Sequence, residues 1–192
     1  MIGAFLIAVL ALFKGEESPY NSSPCKETKN TEAYNNFVHR HVLKKGFNTS
    51  STDDWEDYLT EQNLCGRPRQ SFIDVGAEIL YEEICNGFGV RQGGGNLCTS
   101  TCKVRLHDLN VTKTKSTTSG KNCTVYGLRS EYRYVTVACD KVGSQCLPVH
   151  FNSSQINMPE NKNGTCEAQG SEGEQKISTS HWFQFLQMTF YS

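Results

Sequence analysis

The stretch EYRYVTVACD at residues 131–140, followed by CLPVHF at 146–151, decides the fold class of this chain. Tyr, Val and Thr alternate there as they do on half-buried strands, so the pair reads as a strand, a turn and a returning strand. KVRLHDLNVTKT, residues 103–114, reads as a further strand. Upstream the period is helical. In TEAYNNFVHRHVLK, residues 31–44, Tyr34, Phe37, Val38, His41 and Val42 share one face, which turns His41 inward one turn after Phe37. DDWEDYLTEQ at 53–62 reads as a second helix with acids in its first turn, where they complement the dipole, and Gly46 separates the two. SFIDVGAEILYEEIC at 71–85 begins strand-like and continues as a short helix, whereas Gly93-Gly94-Gly95 reads as a loop. Helices first and antiparallel strands later make the fold α+β.

With 192 residues, 37% hydrophobic and 20% charged, the chain suits one domain with attachments, and excludes a wholly disordered chain or a multi-pass membrane protein. Nine cysteines in so short a chain read as disulfides in an oxidising compartment or as zinc ligands in a reducing one. No pair is Cys-x-x-Cys, and the close pair Cys98 and Cys102 has no paired-histidine segment to complete a zinc site, so no metal is expected. Residues 1–14 carry the apolar run IGAFLIAVLALF, too short to span a bilayer and similar to a signal-peptide core. Sequons at Asn21, Asn48, Asn110, Asn122, Asn152 and Asn163 agree with secretion. The expected division is a signal-like segment at 1–14, a polar leader at 15–31, a folded domain at 32–154 and a flexible extension at 155–192 that ends in the aromatic HWFQFLQMTFYS.

The order of these features resembles the pancreatic-type ribonuclease family over about residues 32–154. Phe37-Val-His-Arg-His41 is similar to that family's Phe-x-x-x-His helix, and Cys65 to Phe72 (CGRPRQSF) is similar to its Cys-Lys-x-x-Asn-Thr-Phe signature. Val137-Ala-Cys-Asp140 with Leu147-Pro-Val-His-Phe151 is similar to its C-terminal strand pair. The resemblance implies helices packed on a curved antiparallel sheet, stapled by disulfides Cys65–Cys123 and Cys85–Cys139 and by a small-loop bridge Cys98–Cys102. Cys25, Cys146 and Cys166 are then extra, and at least one thiol is unpaired or intermolecular. A further family bridge, from the second helix to a central strand, is missing both halves: Trp55 holds the helix position and is expected to fill the space by packing.

Cleaving RNA by transesterification needs a base for the 2′-hydroxyl proton, an acid for the departing 5′-oxygen, and a cation beside the phosphorane. Two imidazoles can supply both proton roles near neutral pH. The resemblance assigns His41 as base and His150 as acid, and reads His39, His107 and His181 as solvated. The family's lysine is absent; aligning backward from Ser71-Phe72 puts Arg67 in its place, with Arg69 competing. A planar guanidinium in place of an ammonium predicts activity reduced about ten- to a thousandfold. Ser71 stands where a threonine pairs with a pyrimidine edge, with Gln70 and Phe72 beside it, Arg40 where glutamine contacts phosphate, and Asn152 where aspartate orients the acid histidine. A glycan on Asn152 would obstruct RNA.

The family is strongly basic, but this chain totals −1, and residues 34–154 carry 14 Lys and Arg against 12 Asp and Glu. Weak, salt-dependent binding to RNA through a local cleft is therefore expected. The sequence supports two readings. One is a secreted, monomeric, cofactor-free endoribonuclease that cleaves single-stranded RNA after pyrimidines, with no DNA specificity. The other is a catalytically vestigial host-defence or signalling protein that acts on a cell-surface receptor or microbial target.

Overall fold

The computed structural model describes residues 21–74, 80–114, 120–158, 160 and 164–166. The signal-like segment 1–14, the aromatic tail with His181, and the sequon at Asn163 lie outside the described residues.

Helix α1 spans Ala33–His41 and buries Phe37 and His41, the inward face read from the sequence. Helix α2 spans Thr52–Glu61. The Ser51 hydroxyl caps it by accepting from the Asp54 amide, Asp53 and Asp54 sit in its first turn, and Trp55, Tyr58 and Leu59 face the core. A short helix α3 at Leu80–Glu83 runs into a wider turn at Ile84–Phe88.

The described strands are β1 at Lys26–Glu27, β2 at Arg69–Ile73, β3 at Gly89–Arg91, β4 at Leu97–Ser100, β5 at Val104–Lys113, β6 at Cys123–Val142 and β7 at Gln145–Gln155. The order β2-β5-β6-β4-β3 is antiparallel, β7 also pairs antiparallel with β6, and β1 pairs with β6 in parallel. The twenty residues of β6 make it the spine: its first half pairs with β5, its second with β4 and β7. Gly143, at φ +62°, opens the two-residue turn that returns β6 as β7, a backbone region open to glycine without cost. The α+β architecture expected from the sequence is present.

Trp55 is completely buried. Its ring lies 4.7 Å from Phe47, 5.4 Å from Phe72 and 5.8 Å from His107, and its Nε1 donates to the Thr49 carbonyl at 3.1 Å. An indole therefore links the second helix to the central strand β5, where the family bridge is missing. His107 is a correction to the sequence reading, because it is not solvated. It is fully buried, with Nδ1 at 2.7 Å from the Ser130 hydroxyl and Nε2 at 3.4 Å from Asp74 Oδ2. Those two partners satisfy the ring and so allow its burial.

Cys65–Cys123 and Cys85–Cys139 form as the resemblance implies. The expected Cys98–Cys102 bridge does not form. Cys98 points into the core from the extended strand β4, which carries the chain away at about 3.3 Å per residue, and its partner is Cys166 at a Cα separation of 6.0 Å. Cys25 pairs with Cys146 at 5.1 Å, leaving Cys102 as the free thiol. These two bridges stitch described parts of both flanking segments to the domain. The Cys25 amide donates to the Cys139 carbonyl, and the Cys166 amide to the Gly89 carbonyl. In the chain-entropy account, loops of 121 and 68 residues are each worth about 4 to 5 kcal/mol.

Candidate functional site

The chain leaving α1 is zipped to β2: Val42 bridges Ile73, and the Leu43 amide donates to the Ile73 carbonyl at 3.0 Å. That pairing sets His41, the last residue of the helix, beside Ser71. His41 Nδ1 lies 2.9 Å from the Ser71 carbonyl oxygen, which can only accept, so Nδ1 carries the proton and Nε2 keeps its lone pair. The ring stacks on Phe151 at 5.1 Å and 18°, with Phe37 at 5.7 Å on the same helix. Burial drives the His41 pKa down to about 4 against the pull of the Ser71 carbonyl, and the charges of Arg67, His150 and Arg40 add to the depression. The imidazole is neutral over the whole physiological range.

His150 comes to the same place from β7, opposite Ala138 and one residue before the Phe151 ring that covers His41. It is exposed at its surface. The protein packed around it, then the charges of Arg67 and Arg40, hold its pKa below the ordinary histidine value. Arg67 is partly buried, and its own pKa is lowered by burial and by Arg40. Its Nη1 is buried with no hydrogen-bond partner among the described residues. Thus Arg40, Arg67 and His150 all act on His41, and among the described residues no carboxylate contributes to the field at either imidazole. Two guanidinium groups whose charge reaches two partly desolvated imidazoles make a socket for an anion.

The other expected contacts are distributed differently. Arg69 is exposed on β2 opposite Asn110, whereas Arg67 and Arg40 are the cations whose charges reach both histidines. Gln70 was expected to meet substrate, but it is 3% exposed and donates from Nε2 to the Leu64 and Arg67 carbonyls, clamping the loop that presents Arg67. The Phe72 side chain is fully buried against Trp55 and Tyr58 and is likewise core. Strand alternation explains both, because positions 70 and 72 share the inward face while 69 and 71 share the other. Asn152 is exposed and donates to the Ser153 hydroxyl at 3.3 Å.

Two participants were not legible beforehand. The Ser71 hydroxyl donates to Asp108 Oδ1 at 2.6 Å, and Asp108 is held through Oδ2 by Arg133 Nη1 at 2.8 Å. Arg133 is fixed in turn by Glu131 at 2.8 Å and by the Ser154 hydroxyl at 3.2 Å. Asp108 faces Ser71 only because β2 and β5 pair in this register. A strand sequence names its own alternation but not its neighbour's.

No protein-family model and no curated protein matches the sequence. Among solved structures, the chain is similar to the egg-white ribonuclease of the green turtle, at 20% identity and a TM-score of 0.50, covering 64% of this chain and 98% of that one. It also aligns with SS-RNase-2 des116-120 at 25% identity and a TM-score of 0.49, covering 65% and 96%. With its helices on an antiparallel sheet and four disulfides, the chain has a pancreatic-type ribonuclease-like fold.

Proposed function

We propose that this chain is a secreted endoribonuclease that cleaves single-stranded RNA on the 3′ side of pyrimidines, by transesterification to a 2′,3′-cyclic phosphate. The observation that supports this most is the convergence of His41, His150, Arg67 and Arg40, whose field receives no carboxylate among the described residues. Such a site attracts a phosphodiester and leaves one imidazole ready to accept a proton.

In this reading the neutral Nε2 of His41 removes the 2′-hydroxyl proton, and the 2′-oxygen attacks phosphorus. Charge accumulating on the phosphorane lies beside Arg67, with Arg40 reinforcing the field. Protonated His150 gives its proton to the 5′-oxygen as the P–O5′ bond breaks, so the proton taken by one imidazole is balanced by the one lost from the other. The Ser71 hydroxyl, committed to Asp108, presents its lone pairs to the base edge. Acid, base and charge stabilisation all come from side chains, so the reaction as written uses no metal. Turnover is reduced, because a rigid guanidinium stands where the resemblance places a flexible ammonium. Four disulfides agree with an oxidising compartment.

The test is cleavage of a short pyrimidine-containing RNA by purified full-length protein in excess chelator, beside His41→Ala and His150→Ala. Wild type should generate cyclic-phosphate ends, and each variant should lose at least about a hundredfold. Equal cleavage by all three proteins would identify a contaminant and reject the enzymatic reading.

A further inference from the structure

We infer that β5 and β6 carry a second surface for single-stranded RNA, on the sheet face opposite Asp108, where bases stack on Tyr132 and Tyr134 and phosphates meet Lys103 and Arg105. The inference rests on the RNA reading for its choice of polymer, but its geometry is independent of the histidines.

Arg105 and Tyr132 are directly opposed in the β5/β6 ladder and therefore share a face. Tyr134 lies two residues along on that same face, about 6.8 Å from Tyr132. Lys103 Nζ sits 5.7 Å from the centre of the Tyr134 ring. Tyr132 is 62% exposed, and Lys103 and Arg105 are both exposed. Asp108 belongs to the alternate set of β5 residues, with Leu106 and Val104, so the base-contacting side chains lie across the sheet from this row.

The cations suit a polyanion. Among the described residues, neither Lys103 nor Arg105 forms an ion pair with a carboxylate. Asp74 continues this row, since its amide donates to the Arg105 carbonyl at 3.0 Å, but its carboxylate approaches His107 Nε2 at 3.4 Å. Other cations of the same two strands are matched: Arg129 and Arg133 pair with Glu131, and Arg133 also with Asp108. An exposed ring and a half-buried ring in one row, flanked by two cations that pair with no carboxylate among the described residues, match what unpaired bases require: flat apolar surfaces at strand spacing, with positive charge beside the backbone.

The experiment measures fluorescence anisotropy of a labelled twelve-nucleotide 2′-O-methyl pyrimidine oligonucleotide, which has no free 2′-hydroxyl and cannot be cleaved, on the full chain. Tyr132→Ala should weaken binding about five- to a hundredfold, the loss of one stacked base, while Tyr132→Phe binds as wild type. Arg105→Ala should lower the slope of log affinity against log salt by roughly 0.7. Cleavage of a pyrimidine-adenosine dinucleotide, too short to reach this face, stays unchanged in Tyr132→Ala. If wild type cleaves nothing but Tyr132→Ala still loses oligonucleotide affinity, the surface stands and the enzymatic reading falls. If cleavage is present and Tyr132→Ala binds as wild type, the surface is rejected alone. Loss of affinity for a sulfated oligosaccharide, with none for the oligonucleotide, overturns the inference in favour of a glycan.

Discussion

The Ser71 hydroxyl donates its proton to Asp108 across β2 and β5, and this orientation bears on base choice. A hydroxyl so engaged faces a ligand as an acceptor, so it suits the N3–H of uracil and opposes the N3 lone pair of cytosine. Removing the carboxylate in Asp108→Ala frees the hydroxyl to donate. The ratio of kcat/KM for uridine over cytidine substrates should then fall about tenfold, the worth of one hydrogen bond of roughly 1.4 kcal/mol. An unchanged ratio would show that Ser71 does not touch the base.

The pH profile follows from the two histidines. The base must be neutral, which His41 is above about 4, and the acid must be protonated, which His150 is only below a pKa depressed from 6.5. A plot of kcat/KM against pH should therefore be a bell with its acid limb near 4, its alkaline limb below 6.5 and its maximum in the acidic range. Asn152→Asp should carry the alkaline limb upward by placing a carboxylate near His150. A maximum above pH 7 in the wild type would contradict the assignment.

Stability responds to the same burial. The folded-state pKa of His41 is lowered, so between about 6.5 and 4 the unfolded chain binds more protons than the folded one. The native state keeps this contribution above pH 6.5 and loses it as pH falls toward 4, by about 3 kcal/mol in total. Denaturant midpoints across that window should show a smaller acid loss in His41→Phe than in wild type.

Arg67 links the loop to the chemistry. Its Nη1 is buried without a hydrogen-bond partner among the described residues, and Gln70 clamps its backbone carbonyl, so the loop that presents the guanidinium is fixed while the fork keeps a donor to spare. Arg67→Lys should raise kcat by up to about tenfold, and Arg67→Ala should lower it about a hundredfold. A fall in both would show that the planar fork is the functional group.

Local pattern and long-range pairing were legible to different degrees. The helices around Phe37 and Trp55 and the strands around Val137 and Phe151 announce themselves, because burial of one face imposes a period of 3.6 or 2 on the residues themselves. The nearness of His150 to His41 was legible only through the order of motifs that the resemblance supplied. Asp108 was not, since its role comes from register with Ser71, nor was the burial of His107, which depends on Ser130 and Asp74 from two other segments. The Gln70 clamp was hidden for the same reason: its partners lie in the preceding loop.

Trp55 stands where the resemblance places a disulfide, and its ring contacts with Phe47, Tyr58, Phe72 and His107 make it the centre of the packing between α2 and the sheet. Trp55→Ala should cost about 3 to 5 kcal/mol in chemical unfolding, because the cavity is lined by rigid aromatics that cannot close over it. Trp55→Phe should cost less than half of that. Equal losses would mean that the Nε1 hydrogen bond to Thr49, and not packing volume, carries the stability.

The unpaired thiol gives the sharpest check on the covalent frame. Alkylation of the unreduced protein should label Cys102 alone, and peptide mapping should recover Cys25–Cys146, Cys65–Cys123, Cys85–Cys139 and Cys98–Cys166. Cys102→Ser should leave stability within about 0.5 kcal/mol, as expected for a half-exposed side chain outside the core. Cys166→Ser should cost about 2 to 5 kcal/mol, because it releases both Cys98 and the segment anchored through the Gly89 and Gly87 backbone. Recovery of a Cys98–Cys102 peptide from wild type would instead mean that β4 ends before Cys98, and that the 164–166 segment is held by backbone hydrogen bonds alone.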